Sequence, residues 1–235
     1  MLCRADLHIH SCLSPCGDGD MTPQNIAAMA RLKGLDMIAL TDHNTALNLP
    51  AMEEACREQG LILIPGMEVT TREEIHVLAY FGTVEAALAF GETVRQHLPP
   101  GKNRPDFFGR QQIMDGQDRQ AGEEDALLIG ATDWSLEETV RRIRSAGAAA
   151  VPAHINRGEH GLLVGLGMMP SSPAFPAVEV WLPLPCPESA LEGRMVLHSS
   201  DAHYLGDIRE ADGAMTLEYS SRAGLLDRLC ACHKK

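Results

Sequence analysis

Histidine, aspartate and glutamate recur along this chain in short motifs that suit a cluster of divalent metal ions. The series opens with Asp6-Leu7-His8-Ile9-His10 and continues through Asp42-His43, Glu68 and His76 to Pro152-Ala153-His154 and Ser200-Asp201-Ala202-His203. Two imidazoles two residues apart on a strand face the same side and can grip one ion together. A carboxylate such as Glu68 has two oxygens and can bridge neighbouring ions. Imidazoles combined with Asp and Glu suit zinc, manganese or iron, whereas calcium and magnesium sites are mostly oxygen. Ions roughly 3.5–4 Å apart bind both the attacking and the leaving oxygen of a phosphate ester, and they lower the pKa of a bound water towards ~7. Any one of these residues alone reads as a turn residue or a satisfied polar group. A whole series of them at successive strand ends does not.

The elements that must position these motifs alternate along the chain. Strands are expected over residues 4–10, 37–40, 61–64, 75–81, 148–153, 177–182 and 195–198, with one more over 214–218. A helix opens at Thr22 with Pro23 in its first position and Gly34 just past its end. Others run over 51–57, stopping at Gly60, and over 83–97. Ser135-Leu136-Glu137-Glu138 is a capping box that opens a helix ending near Gly147, and a last helix starts at Ser221. Between 99 and 134 the rhythm breaks into a polar stretch with the turn pair Asp115-Gly116, which reads as a hairpin-like insertion. Near-continuous apolar strands alternating with helices imply a parallel sheet covered by helices. Neither G-x-G-x-x-G nor a P-loop occurs, so a closed or nearly closed β/α barrel is preferred to an open doubly wound sheet. In such a barrel the C-terminal strand ends surround one mouth, where the motifs would converge.

The length of 235 residues permits a single large domain, 1–235. Hydrophobic residues make up 45% and charged residues 22%, which excludes disordered and low-complexity classes. No apolar run approaches the ~18 residues needed to cross a bilayer. Asp6 interrupts the stretch where a secretory signal would be apolar, so a cytoplasmic protein is expected. Seven cysteines without a C-x-x-C pair read as free thiols. The net charge of −12 disfavours a long nucleic acid partner but leaves small anions open, because bound metal makes a pocket positive. Nothing in the sequence speaks to oligomeric state.

The motif series, with Asp6-Leu7-His8-Ile9-His10-Ser11, Thr41-Asp42-His43-Asn44 and Gly66-Met67-Glu68 among its members, resembles the PHP (polymerase and histidinol phosphatase) superfamily. The resemblance runs from residue 4 to about 208, the insertion excepted. It implies a distorted seven-stranded, TIM-like β/α barrel and a trinuclear site at which metal-activated hydroxide hydrolyses a phosphoester. His8, His10, Glu68 and Asp201 would hold one ion, and Glu68, His76 and His154 a second, with Glu68 bridging. Asp18, His43 and His203 would hold the third, since Asp18-Gly19-Asp20-Met21-Thr22-Pro23 fits the D-G-x-x-T-P spacing of some members. Asp20 and Cys16 are the neighbouring rivals of Asp18. Asp6 and Asp42 would orient ligand imidazoles. Catalysis would depend most directly on Glu68, Asp201 and His203, on three divalent ions (zinc, manganese or iron).

The implied substrate is a small phosphorylated molecule: a nucleotide, a sugar phosphate or one like histidinol phosphate. Arg157, three residues past His154, is a candidate phosphate ligand, and residues 156–176 are long enough for a lid. His97, His160 and His198 match no motif and read as structural. Cys12 and Cys16 read as ordinary thiols, and Cys230-Ala231-Cys232-His233 as a helix tail. Two other functions compete. A metal-binding or regulatory module without activity would have lost ligands. An amidohydrolase would want a lysine on a middle strand, and none lies between Lys33 and Lys102.

Overall fold

The computed structural model describes residues 3–158, 160–218 and 221–231, so Cys232 and His233 of the tail motif lie outside the described residues. In chain order the elements begin β1 (Cys3–Ile9), α1 (Pro23–Leu32), β2 (Met37–Leu40), α2 (Leu49–Gln59), β3 (Ile62–Thr70), β4 (His76–Tyr80) and α3 (Val84–Arg95). The insertion holds α4 (Pro105–Phe108) and the hairpin β5 (Gln112–Met114) and β6 (Gln120–Glu123). Then come α5 (Leu136–Ser145), β7 (Ala149–Pro152), α6 (Leu162–Leu166), β8 (Ala177–Glu179), β9 (Met195–Leu197), β10 (Met215–Leu217) and α7 (Arg222–Cys230).

Local signals explain most boundaries. Thr83, Ser135 and Ser221 each accept a hydrogen bond from an amide of the following turn, capping α3, α5 and α7. Gly60 ends α2 in the left-handed conformation, with φ of 68°. Thr22 precedes α1 without capping it, because its hydroxyl is taken by Asp118 of the hairpin loop.

The architecture is mixed α/β, built on a curled six-stranded sheet in the order β10-β1-β2-β3-β4-β7, with β8 and β9 as a separate parallel pair. The expectation of a wholly parallel sheet is corrected. β4 runs antiparallel to both β3 and β7, and β10 runs antiparallel to β1. Residues 71–75 joining β3 to β4 are too few for the crossover that parallel strands need, so the chain turns straight back. This reversal serves the site: it puts His76, the first residue of β4, opposite Thr70 at the end of β3.

One apolar cluster fills the space between the sheet and helices α1, α2, α3 and α5, including Ile26, Met52, Met67, Phe81, Val94 and Ile143. A second, with Leu7, Ala39, Ile64, Leu78, Tyr80 and Val151, occupies the inside of the curl beneath the site. Tyr80 closes this inner core by donating its hydroxyl proton to the Leu7 carbonyl at 2.8 Å. Among the described residues, no helix is long and apolar enough to cross a membrane.

Candidate metal centre

Asp6, His8 and His10 are all fully buried, and the pairing of β1 with β2 shifts register between Asp6 and Ile9, so that Leu7 joins the inner core while Ile9 joins the outer one. β2 delivers Asp42 and His43 just beyond its last residue, and β3 delivers Glu68. Strands β2 and β3 approach so closely that a Cβ at Gly66 would lie 2.7 Å from Thr41 Cγ2 and 3.0 Å from the Leu40 carbonyl oxygen. Glycine there lets His43 form a backbone bridge with Glu68. His154 and Asp201 leave their strands through left-handed backbone, with φ of 28° and 53°. Such conformations cost about 1–3 kcal/mol each in non-glycine residues and gather at functional sites.

Glu68 is the hub. Its Oε1 lies 2.9 Å from His76 Nδ1, 3.2 Å from His154 Nε2 and 3.4 Å from His8 Nε2. Its Oε2 lies 3.0 Å from His43 Nδ1 and 3.5 Å from His10 Nε2, and forms no hydrogen bond although fully buried. Asp201 Oδ1 adds contacts of 3.3 Å to His8 and 3.2 Å to His10. The Nε2 atoms of His8 and His10 face one another across 3.1 Å. Among the described residues, three groups have donor atoms close enough to share an ion: His8, His10 and Asp201; His43, Glu68 and His76; and His10, His43 and His203. Buried nitrogens and oxygens that converge in this way, with Glu68 Oε2 left without a hydrogen-bond partner, fit divalent cations well.

The surrounding hydrogen bonds fix which imidazole nitrogen faces inward. Glu179 Oε2, at the end of β8, accepts from His8 Nδ1 at 2.9 Å and from the His154 amide at 2.9 Å. That leaves His8 Nε2 bare towards the centre, the arrangement typical of a metal-bound histidine. Ser14 Oγ accepts from His10 Nδ1 at 3.0 Å and donates to Asp42 Oδ1 at 2.7 Å, so Asp42 orients His10 through a serine. Asp6 departs from expectation. It accepts the amides of Ser200 and Arg209 at 2.9 and 3.0 Å and so anchors the turn carrying Asp201 rather than an imidazole.

Charge coupling within the cluster is strong. Burial works against ionisation of Glu68, but His76, His8 and His43 outweigh it and hold its carboxyl well below the usual range. Burial would likewise depress His8, yet Glu179, Glu68 and Asp201 raise it well above its ordinary value. Burial wins at His10, helped by His203 and His43, and lowers it far below normal. His76 is depressed by burial to about 4 despite the opposing pull of Glu68.

Asp18 is not among the groups that meet at His43 and His203. Its Oδ1 instead accepts the Asp20 amide at 2.9 Å within its own turn. The side chain that does reach the two imidazoles is Cys16, hydrogen-bonded to both. Burial opposes its ionisation, but the two histidines prevail and bring it down to about 6. His160, expected to be structural only, stacks on His76 with centroids 4.3 Å apart and planes 3° apart. Arg157 contacts Asp201 and lies over the Trp181 ring, 4.5 Å from its centroid. Glu179 and His160 were missed because each stands outside any motif.

Cys16, His43, Glu68, His76, His154, Arg157, His160, Asp201 and His203 line a cavity of about 400 Å³. Ile129, from the end of the insertion, forms part of its wall. A neighbouring groove of about 630 Å³ shares Cys16, Arg157, Asp201 and His203 and extends past Trp181, Tyr204 and Arg209.

The family profile described as "PHP domain" matches residues 6–133. A 5'-3' exoribonuclease of Haemophilus influenzae is 36% identical over 78 residues, which is 32% of this chain and 27% of the relative. A 3',5'-nucleoside bisphosphate phosphatase of Chromobacterium violaceum is 31% identical over 94 residues, covering 38% and 32% of the two chains. The aligned stretches thus span about a third or less of these relatives. Among solved structures, a Bifidobacterium adolescentis chain provisionally described as a metal-dependent phosphoesterase superposes with a TM-score of 0.66 at 20% identity. That superposition covers 96% of this chain and 95% of the other, a likeness of fold.

Proposed function

This chain belongs to the PHP domain family, and we propose that it is a metal-dependent hydrolase of a small phosphate ester. The observation that carries the reading is Glu68: a fully buried carboxylate within 3.5 Å of five imidazoles, with one oxygen that has no hydrogen-bond partner. Three ions are proposed. His8, His10, Glu68 and Asp201 would hold the first, Glu68, His76 and His154 the second, and His43 and His203 the third. When bound, divalent ions supply Lewis acidity at phosphorus and lower the pKa of a coordinated water. The chain does the rest. Glu179 and the Ser14–Asp42 pair keep His8 and His10 in the tautomers that leave Nε2 free. Asp6 holds the Asp201 turn in place. Arg157, which lines the cavity beside Asp201, would pair with a substrate phosphate oxygen.

A pocket of about 400 Å³ suits a nucleotide-sized ligand better than a duplex, and the net charge of −12 works in the same direction. The fold is read as a seven-stranded barrel of β1, β2, β3, β4, β7, β8 and β9. Two features support closure: the Ile155 amide bonds to the Glu179 carbonyl at 2.9 Å, and Ala202 bridges to Ile9. Residues 1–235 are read as one domain, with the insertion bracing the site loop through the Gln112 amide on the Cys12 carbonyl at 3.1 Å. The unpaired state of the described cysteines agrees with a reducing, cytoplasmic setting.

The test combines elemental analysis with phosphate and alcohol release from nucleotides, cyclic and bis-phosphorylated nucleosides, sugar phosphates and histidinol phosphate. Hydrolysis that tracks metal loading is expected. Failure across the whole panel with ions bound would leave the regulatory-module reading in its place.

A further inference from the structure

The loop between β1 and α1 folds back over the imidazoles in two successive turns. The Ser14 amide bonds to the Ser11 carbonyl at 3.0 Å, and the Gly17 amide to the Ser14 carbonyl at 2.9 Å. The Asp18 amide then ties the loop to the His203 carbonyl at 3.0 Å. A Cβ at Gly17 would fall 2.2 Å from the Ser11 carbonyl oxygen, so only glycine closes the loop this tightly. The register this imposes turns Asp18 into its own Asx turn and brings Cys16 over the centre. As a residue Cys16 stands on the exposed rim, yet its sulfur sits against both His43 and His203 and lines the cavity.

We propose that Cys16 is a protein ligand of the third metal position, completing with His43 and His203 a thiolate–imidazole set that takes a thiophilic divalent ion such as zinc, iron(II) or cobalt(II). The proposal rests on the metal-centre reading above and deepens it. His43 and His203, together with His10, have donor atoms close enough to share an ion, and Glu68 Oε2 shows that a cation belongs in the adjoining position. It is fully buried, makes no hydrogen bond, and faces the same cluster from the other side, 3.0 Å from His43 Nδ1. His203 stacks on His10 with centroids 4.3 Å apart, so the third position adjoins the first. Among the described residues no other cysteine lines this cavity. Cys12, nearest in sequence, is buried against the Gln112 carbonyl instead. A softer donor in one position of three makes that position differ in metal preference from its nitrogen- and oxygen-lined neighbours.

The test loads the purified chain with cobalt(II) or zinc and reads sulfur ligation directly. Expected for the wild type are a near-ultraviolet thiolate-to-cobalt charge-transfer band and, by X-ray absorption, a zinc–sulfur distance of about 2.3 Å. Asp18→Ala keeps both signatures. Cys16→Ser loses both, and elemental analysis after dialysis gives one ion fewer per chain. A metal-loaded wild type without sulfur ligation overturns the proposal and leaves the phosphoesterase reading standing. So does retention of the band in Cys16→Ser, or loss of one ion in Asp18→Ala with none lost in Cys16→Ser. A chain that takes up no divalent ion overturns both readings together.

Discussion

Replacing Glu179 separates the hydrogen-bonding role of this carboxylate from its charge. Its Oε2 accepts from both His8 Nδ1 and the His154 amide, while its Oε1, buried as well, has no partner. Glu179→Ala strands two buried donors, each costing roughly 1–3 kcal/mol, so the metal-free protein should lose about 2–6 kcal/mol. With an m-value near 3 kcal/mol per molar urea, that is a midpoint shift of roughly 1–2 M. His8 is also freed to turn or to change tautomer, and metal affinity should fall by about 10- to 100-fold. Glu179→Gln behaves differently. Its carbonyl oxygen can take the position of Oε2, so both bonds survive, but its amide nitrogen enters the buried, unpartnered place of Oε1 and strands a donor there. Its stability should fall by roughly 1–3 kcal/mol, less than for Glu179→Ala, with the loss of metal affinity towards the lower end of the 10- to 100-fold range. The assays are urea unfolding of metal-free protein and chelator competition for metal. A Glu179→Ala protein with an unchanged midpoint and unchanged affinity would refute the argument that this residue orients His8.

Glu68→Gln should cost more turnover than the roughly 10- to 100-fold typical of losing an outer hydrogen-bond partner, and it should lose metal by elemental analysis; near-wild-type activity at saturating metal removes Glu68 from the centre. Arg157→Ala should raise KM more than it lowers kcat, by about 10- to 150-fold in kcat/KM from one lost charged hydrogen bond, whereas an unchanged KM places the substrate elsewhere. His76, depressed to about 4 from an ordinary 6.5, should stay neutral in metal-free protein until well below pH 6. The unfolded chain takes up that proton first, so the stability His76 contributes is present above about 6.5 and is lost as pH falls towards 4; a nitrogen-15 NMR midpoint near 6.5 would contradict this. In the loaded protein, metal content should fall as pH drops below roughly 6, because imidazoles must be neutral to bind, and full retention in acid would show other donors dominate.

What the sequence disclosed about this site follows from the range of the interactions involved. His8 and His10 are fixed by alternation on one strand, and the Ser135 and Ser221 caps by bonds three residues long, so all were legible. The direction of β4 was equally local: five residues between Thr70 and His76 already forbid a parallel crossover. The strand ends alone do not disclose that direction; the length of the connection between them does. Glu179 could not have been found this way. Ala177-Val178-Glu179 reads as any strand ending in an acid, and its value lies in a bond to His8, 171 residues distant. His160 is likewise defined by its stack on His76 and by the Glu74 carbonyl that holds its Nδ1 at 2.8 Å.

The loop after β1 shows how a motif can match in spacing while its geometry is decided elsewhere. The run from Asp18 to Pro23 fits the expected pattern in sequence, but the pattern is anchored on α1, whereas the site is anchored on β1. Between them the chain must absorb residues 11–17, and it does so by the two turns that Ser11, Ser14 and Gly17 close. Each turn is held by a fully buried network: Ser11 and Ser14 also give their hydroxyls to Asp42 at 2.7 Å, and the Ser11 amide binds Asp42 at 2.6 Å. Shifting the register to bring Asp18 over His43 would break these charge-assisted bonds, worth about 1.5–3 kcal/mol each. It would also pull Ser14 away from His10 Nδ1, where it sets the tautomer of a first-position ligand. The loop's conformation is therefore coupled to His10 through Asp42, and the residue it leaves above His43 and His203 is Cys16.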